Sequence, residues 1–247
     1  MGDAKAFKSG REFAAWLGLK GLTNEVSARQ RQARGLGVND IQAFLGSPGQ
    51  NLPTIRERAM LCVAYDAMTR RSELTAIDVE DLKFLEDGTG RLLIRRSKTD
   101  QTGQGHIAYL SRESVRFLKA WLKAARIEEG AVFRRIIGRG TVTYDKKGRG
   151  RIGDRLSPEA VSRAFKAVAR HLELPAEDVE GTSGHSVRVG ATQDLLALNV
   201  DLASVMREGR WKSVRMPMRY GEHVMAARGG MARAAKEQGR DRAPGAI

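Results

Sequence analysis

The chain has 247 residues, 41% of them hydrophobic, which is enough for one substantial domain with a real core and argues against wholesale disorder. Lys and Arg number 43 against 29 Asp and Glu, a formal net charge of +14 spread from end to end, which points to a broad basic surface and a polyanionic partner. The single cysteine, Cys62, excludes an internal disulfide framework and argues against a cysteine-based zinc site, and the absence of a membrane-length apolar run or a secretory signal predicts a cytoplasmic protein with no membrane partner.

Residues 1–37 are the least readable stretch. Residues 13–17 form a short apolar patch, and residues 25–34 read as a basic helix ending at Gly35. Nothing before residue 38 is expected to hold a core of its own. Asn39 and Asp40 can cap a short helix over residues 41–45, stopped by Gly46-Ser47-Pro48-Gly49. Thr54-Ile55-Arg56-Glu57 has the form of a capping box, and the run over residues 59–68 is apolar nearly all round. That pattern predicts a buried helix with Cys62 and Tyr65 in its core. It leads into Thr69-Arg70-Arg71-Ser72-Glu73-Leu74, where a charge at the end of a buried helix needs a partner and Glu73 stands one turn from Arg70.

A small sheet is expected next. Asp87-Gly88-Thr89-Gly90 reads as a turn between Leu82-Lys83-Phe84 and Leu92-Leu93-Ile94, with a third strand over residues 106–110. Lys98 falls near a hairpin tip, where side chains are exposed and well placed to reach a ligand. Ser111 caps a helix running to about Arg126, with Val115, Leu118, Trp121 and Leu122 as its apolar stripe. Residues 132–156 are basic and glycine-rich and read as a loop lying on phosphates. Their Gly148-Arg149-Gly150-Arg151-Ile152-Gly153 matches the dinucleotide fingerprint by letter, but no flanking strand and helix support it. Ser157-Pro158 opens another helix, in which His171 reads as a surface or packing residue. Further helices are expected from near Gly184, over residues 201–208, and over residues 213–223. Residues 224–238 form an alanine- and methionine-rich helix, and residues 239–247 a disordered tail.

Chemistry concentrates between Ser183 and Tyr220. Ser183-Gly184-His185-Ser186-Val187-Arg188 places an imidazole and a guanidinium at i and i+3 on one helix face, where both can reach one small anion. Arg210-Trp211 follows, then Tyr220, nine residues beyond the indole, whose phenol can act as a nucleophile.

Arg70 with Glu73, Lys98, His185 with Arg188, Trp211 and Tyr220, in that order, resemble the tyrosine recombinase (phage integrase) family, most closely its Cre-like members. The resemblance covers roughly residues 38–238. It implies an α+β fold: a mainly helical catalytic domain with a small three-stranded antiparallel sheet. It also implies a site-specific recombinase that cleaves and rejoins double-stranded DNA through a 3′-phosphotyrosine intermediate, with Tyr220 as nucleophile. Arg70, His185, Arg188 and Trp211 would then contact the phosphate, Lys98 would act as general acid, and Glu73 would orient the cations. No metal or other cofactor is implied. A homotetramer on two DNA sites is expected, at the nucleoid of a bacterial cytoplasm, with residues 224–238 docking on a neighbour or folding back.

Residues 1–37 are too short for the helical DNA-clamping domain that usually precedes the catalytic one, and read as a remnant or junction. Residues 7–19 resemble a short piece of DEDD-type insertion-sequence transposases. The alternative reading is therefore a truncated, catalytically impaired DNA-binding remnant. A type IB topoisomerase-like enzyme is a third possibility, disfavoured by the Cre-like form of residues 183–191.

Overall fold

In the computed structural model one buried helix organises the rest. The structure describes residues 32–95, 105–136 and 152–241, and the chain from Ala33 onward forms one unit. The central helix, α2, spans Leu52–Asp66. Its cap is Asn51, whose side chain accepts a hydrogen bond from the Thr54 nitrogen at 2.9 Å, and proline sits in the first turn. The helix thus starts ahead of the expected capping box. Pro53 costs nothing there, because first-turn N–H groups have no partner within the helix. Leu52 and Ala59 to Ala64 are all buried, Cys62 among them.

Two helices flank it. α1 spans Val38–Gly46, and α4, Arg112–Ala125, packs along α2. (A short α3, Arg71–Ala76, lies between them in sequence.) Ser111 caps α4 as expected, accepting from the Ser114 nitrogen. Asp66 holds the two helix ends together, accepting from the Ser111 nitrogen at 2.6 Å and the Ser114 hydroxyl at 2.5 Å. Val115, Leu118 and Trp121 face the core, and the Trp121 indole donates to the Val132 carbonyl at 2.8 Å.

The expected antiparallel sheet is present in the order β1, Leu82–Phe84; β2, Gly90–Ile94; and β3, His106–Leu110. Leu92, Ile94, Ala108 and Leu110 point into the core, while Leu93, Ile107 and Tyr109 face outward, the alternation of a half-buried sheet. The basic segment read as a loop contains a second pairing. β4, Arg134–Ile136, runs antiparallel to β5, Ile152–Arg155.

The C-terminal half is helical: α5, Pro158–His171; α6, Ala176–Gly181; α7, Ser186–Ala197; α8, Leu202–Gly209; α9, Arg215–Tyr220; α10, Glu222–Arg228; and α11, Gly230–Glu237. Ser157 and Asp201 cap α5 and α8. His171 packs edge-on against Phe44, with ring centroids 5.2 Å apart. The single helix expected over residues 224–238 is two, broken at extended Gly229, and α10 packs on α7. The architecture is mainly helical α+β with a small three-stranded sheet. The N-terminal segment to residue 31, the Lys98 loop, residues 137–151 and the tail from residue 242 lie outside the described residues.

An extended strap, residues 34–37, lies across α7. Arg34 donates its backbone nitrogen to the Gly181 carbonyl at 3.1 Å, and Leu36 to Ser186 at 2.9 Å. Leu36 is fully buried in the main core. Asp194 of α7 accepts from the Val38 nitrogen at 2.7 Å and from the Tyr65 hydroxyl at 2.8 Å, joining α1, α7 and α2.

Candidate active site

The site begins where α2 ends. Met68 turns the chain through a left-handed conformation, φ 43°, and Arg70 then caps α3 with an extended backbone. Glu73, one turn into α3, accepts from the Arg70 nitrogen at 2.9 Å and from its guanidinium at 2.5 Å. The pairing read from sequence is therefore present, but Glu73 has a second cation. Arg210 donates at 2.8 Å to Oε2, the oxygen that also accepts from the Arg70 nitrogen, and donates as well to the carbonyls of Ala67, Met68 and Glu208. Burial alone would raise the Glu73 pKa, but Arg210 and the bonds from Arg70 outweigh it and hold the carboxyl below its ordinary range.

Sequence reasoning gave Arg210 no role. It closes α8 in the left-handed region at φ 55°, a conformation a non-glycine residue adopts only against a steric cost. Nothing in its residue type signals that geometry. His106, which opens β3, was also missed. It lies in the field of Arg210, Glu208 and Glu73, and its Nε2 is buried without a hydrogen-bond partner among the described residues. Burial and Arg210 both lower its pKa, so the imidazole is biased towards the neutral form.

Across the site, α7 contributes His185 and Arg188. His185 is the cap residue and is exposed, whereas Arg188, one turn on, is only 2% exposed. The two share a turn but not an environment, which helical spacing alone did not reveal. The Arg188 guanidinium donates to the Met68 and Gly209 carbonyls, which occupies only part of its donor set. Burial, then the charges of Arg70 and Arg210, bring its pKa down to about 9. His185 is lowered as well, by partial desolvation and then by Arg188, Arg71 and Arg70. Arg188 thus lies in the field of Arg70, with His185 beside both and biased towards its neutral form.

Trp211 and Tyr220 complete the site. The Arg188 guanidinium lies 4.2 Å from the centroid of the Trp211 ring, a cation–π stack. The Trp211 ring packs so closely on Gly209 that a Cβ there would fall 1.9 Å from the indole, so the position requires glycine. Tyr220, at the end of α9, meets Trp211 edge to face, with ring centroids 6.0 Å apart and planes at 69°. Its phenol lies within the field of Arg188 of the same chain.

Beside Glu73 the surface forms a recess of about 350 Å³, lined also by Ala76, Ile77, Asp81, Leu93, Ile94 and Arg95. Arg95 pairs with Asp81 at 2.5 Å there. Lys98, three residues further along, lies outside the described residues. Among the described residues no group of three or more His, Cys, Asp or Glu side chains is placed to hold a metal ion, and no helix is long and apolar enough to cross a membrane.

Fold and site define a mainly helical domain that gathers two arginines, a histidine, a tryptophan and a tyrosine around one positively charged centre. The sequence matches the model of the phage integrase family over residues 36–226, and the chain belongs to that family. It is 31% identical over 177 residues to an integrase/recombinase xerD homolog of Selenomonas ruminantium, covering 69% of this chain and 48% of that protein. To the recombinase cre of Escherichia phage P1 it is 28% identical over 187 residues, covering 72% and 52%. The chain thus spans about half the length of these curated relatives. The fold is shared with the XerA recombinase, at a TM-score of 0.56 and 14% identity over 94% of this chain and 73% of that one. It is shared also with the XerH site-specific recombinase bound to its difH substrate, at 0.56 and 16% over 77% and 50%.

Proposed function

We propose that this protein is a site-specific recombinase that cuts and rejoins double-stranded DNA through a phosphotyrosyl intermediate. The observation that carries the reading is the stack of Tyr220 on Trp211 on Arg188, which brings a phenol into the field of a buried guanidinium within one subunit. The Tyr220 oxygen attacks phosphorus, the bond from phosphorus to the 5′-oxygen breaks, and that oxygen takes a proton. The products are a 3′-phosphotyrosyl link and a free 5′-hydroxyl. Attack by the 5′-hydroxyl of another strand reverses the step and releases Tyr220.

Arg70 and Arg188 neutralise the charge that grows on the non-bridging oxygens, and His185 donates to one of them. Trp211 packs against the phosphate site, and Glu73 fixes the direction of Arg70. The general acid at the leaving 5′-oxygen is Lys98. The catalytic domain corresponds to residues 38–238, preceded by a short N-terminal segment and followed by the tail. The partner is duplex DNA at the nucleoid, a reading supported by the net charge of +14 and by the DNA-bound XerH neighbour. Four copies act on two sites. The exposure of Met231 at 75%, and the burial of only Ala235 on α11, favour contact of that helix with a neighbouring copy.

The test uses a pool of random-sequence duplexes, each nicked so that the leaving strand diffuses away, run on a denaturing gel after incubation. Wild-type protein is expected to give a covalent DNA adduct from a restricted set of sequences, and Tyr220→Phe to give none. DNA binding with no wild-type adduct overturns the reading in favour of a binding-only protein. Adducts without sequence preference, together with relaxation of supercoiled DNA, point instead to a topoisomerase.

A further inference from the structure

Tyr220 ends a helix of six residues, which is too short to hold its own orientation. Its backbone is anchored by α7. Gln193 donates from Nε2 to the Tyr220 carbonyl at 3.1 Å. The next residue, Gly221, lies against α7 so closely that a Cβ there would be 2.1 Å from Leu196 Cδ1. The same rigid helix carries His185 and Arg188 in its opening turn. One element therefore sets the span from His185 and Arg188 to the backbone that carries the phenol.

The strap approaches the Gln193 amide closely from its other side. A Cβ added at Gly35 would lie 2.3 Å from Gln193 Oε1 and 3.1 Å from the Gly190 nitrogen, so the strap backbone passes directly over the carboxamide. Backbone bonds from Arg34 to Gly181 and from Leu36 to Ser186 fix the strap on either side of Gly35. The amide is thus confined between the strap and the Tyr220 carbonyl, and glycine at position 35 leaves it the room.

We propose that Gln193 is a positioning residue for Tyr220, kept in its productive rotamer by Gly35 of the strap. The proposal rests on the reading of Tyr220 as the nucleophile. A displacement of the attacking atom by a fraction of an ångström to an ångström slows an in-line reaction without changing how DNA is bound.

The first measurement is single-turnover adduct formation on a nicked duplex recovered from the random pool, alongside the affinity for that duplex and the thermal unfolding midpoint. Gln193→Met keeps the side-chain length and removes the donor. It is expected to slow the covalent step about tenfold, with affinity and midpoint close to wild type. Gly35→Ala, which crowds the amide, is expected to slow it similarly, and the double variant to be no slower than the slower single one, since both act through one contact. The second measurement is fluorine NMR of the fluorotyrosine-labelled protein, with the Tyr220 signal assigned by its loss in Tyr220→Phe. That signal is expected to move in both single variants while the Tyr109 signal stays. An unchanged rate, a loss that follows affinity or unfolding midpoint, multiplying losses in the double variant, or an unmoved Tyr220 signal overturns the proposal. A wild type that forms no adduct sinks the nucleophile assignment instead, and the fluorine signal then decides the positioning on its own.

Discussion

Glu73 carries two guanidinium groups on one carboxylate, Arg70 at 2.5 Å and Arg210 at 2.8 Å, in a place where its side chain is 3% exposed. Removing Arg210 leaves Arg70 on the carboxylate but strips charge-assisted hydrogen bonds from Glu73 and from the carbonyls of Ala67, Met68 and Glu208, at a cost of roughly 3 kcal/mol. Arg210→Ala is expected to lose about that much stability in urea unfolding, because it keeps the left-handed backbone and drops the ion pair. Arg210→Gly is expected to lose about 1 kcal/mol less, since glycine adopts that backbone without the Cβ penalty. Equal losses would show that the backbone conformation contributes nothing.

Glu57 supplies a pH-dependent test. Burial raises its pKa from 4.5 to about 7, against the opposing pull of Arg56. The folded-state value lies above the unfolded one, so the unfolded chain gives up this proton first and stability falls as pH rises from 4.5 through about 7. Glu57→Gln removes the titration. It is expected to raise stability by roughly 2 kcal/mol at about pH 8 and to change little near pH 4. A gain of the same size at both pH values would contradict this account.

Among the elements, the strap over α7 depends on Gly190. A Cβ there would meet the Leu36 carbonyl oxygen at 2.1 Å and the Gly37 nitrogen at 2.6 Å, both backbone atoms that cannot swing aside. Gly190→Ala is expected to lift the strap, cost about 3 kcal/mol in thermal unfolding and expose residues 34–37 to protease. Protection unchanged from wild type would show that α7 tolerates the added methyl. Local chemistry made much of the fold legible in the sequence. Ser111 and Ser157 cap the helices assigned to them, and the Asp87-Gly88-Thr89-Gly90 turn leads from β1 into β2. What was not legible depends on distant partners. The pairing of β4 with β5 joins segments separated by a glycine-rich stretch, and its register has no local signal. At the site, the order of residue types pointed to Arg70, His185, Arg188, Trp211 and Tyr220. The second cation on Glu73 stayed hidden, because it depends on a backbone angle at Arg210 and on a contact between α8 and α3.

At the scale of the molecule, the net charge of +14 and the family membership support the proposed polyanionic partner. The site supplies the chemical part: a cluster of fixed cations with a phenol stacked beside it, all from one subunit. The most direct test of that claim is to digest the trapped protein–DNA adduct with nuclease and protease and locate the nucleotide by mass spectrometry. The account predicts a nucleotide joined through its 3′-phosphate to Tyr220, with a free 5′-hydroxyl on the released strand. A nucleotide on Tyr65, Tyr109 or any other residue, or a link through the 5′-phosphate, would contradict it.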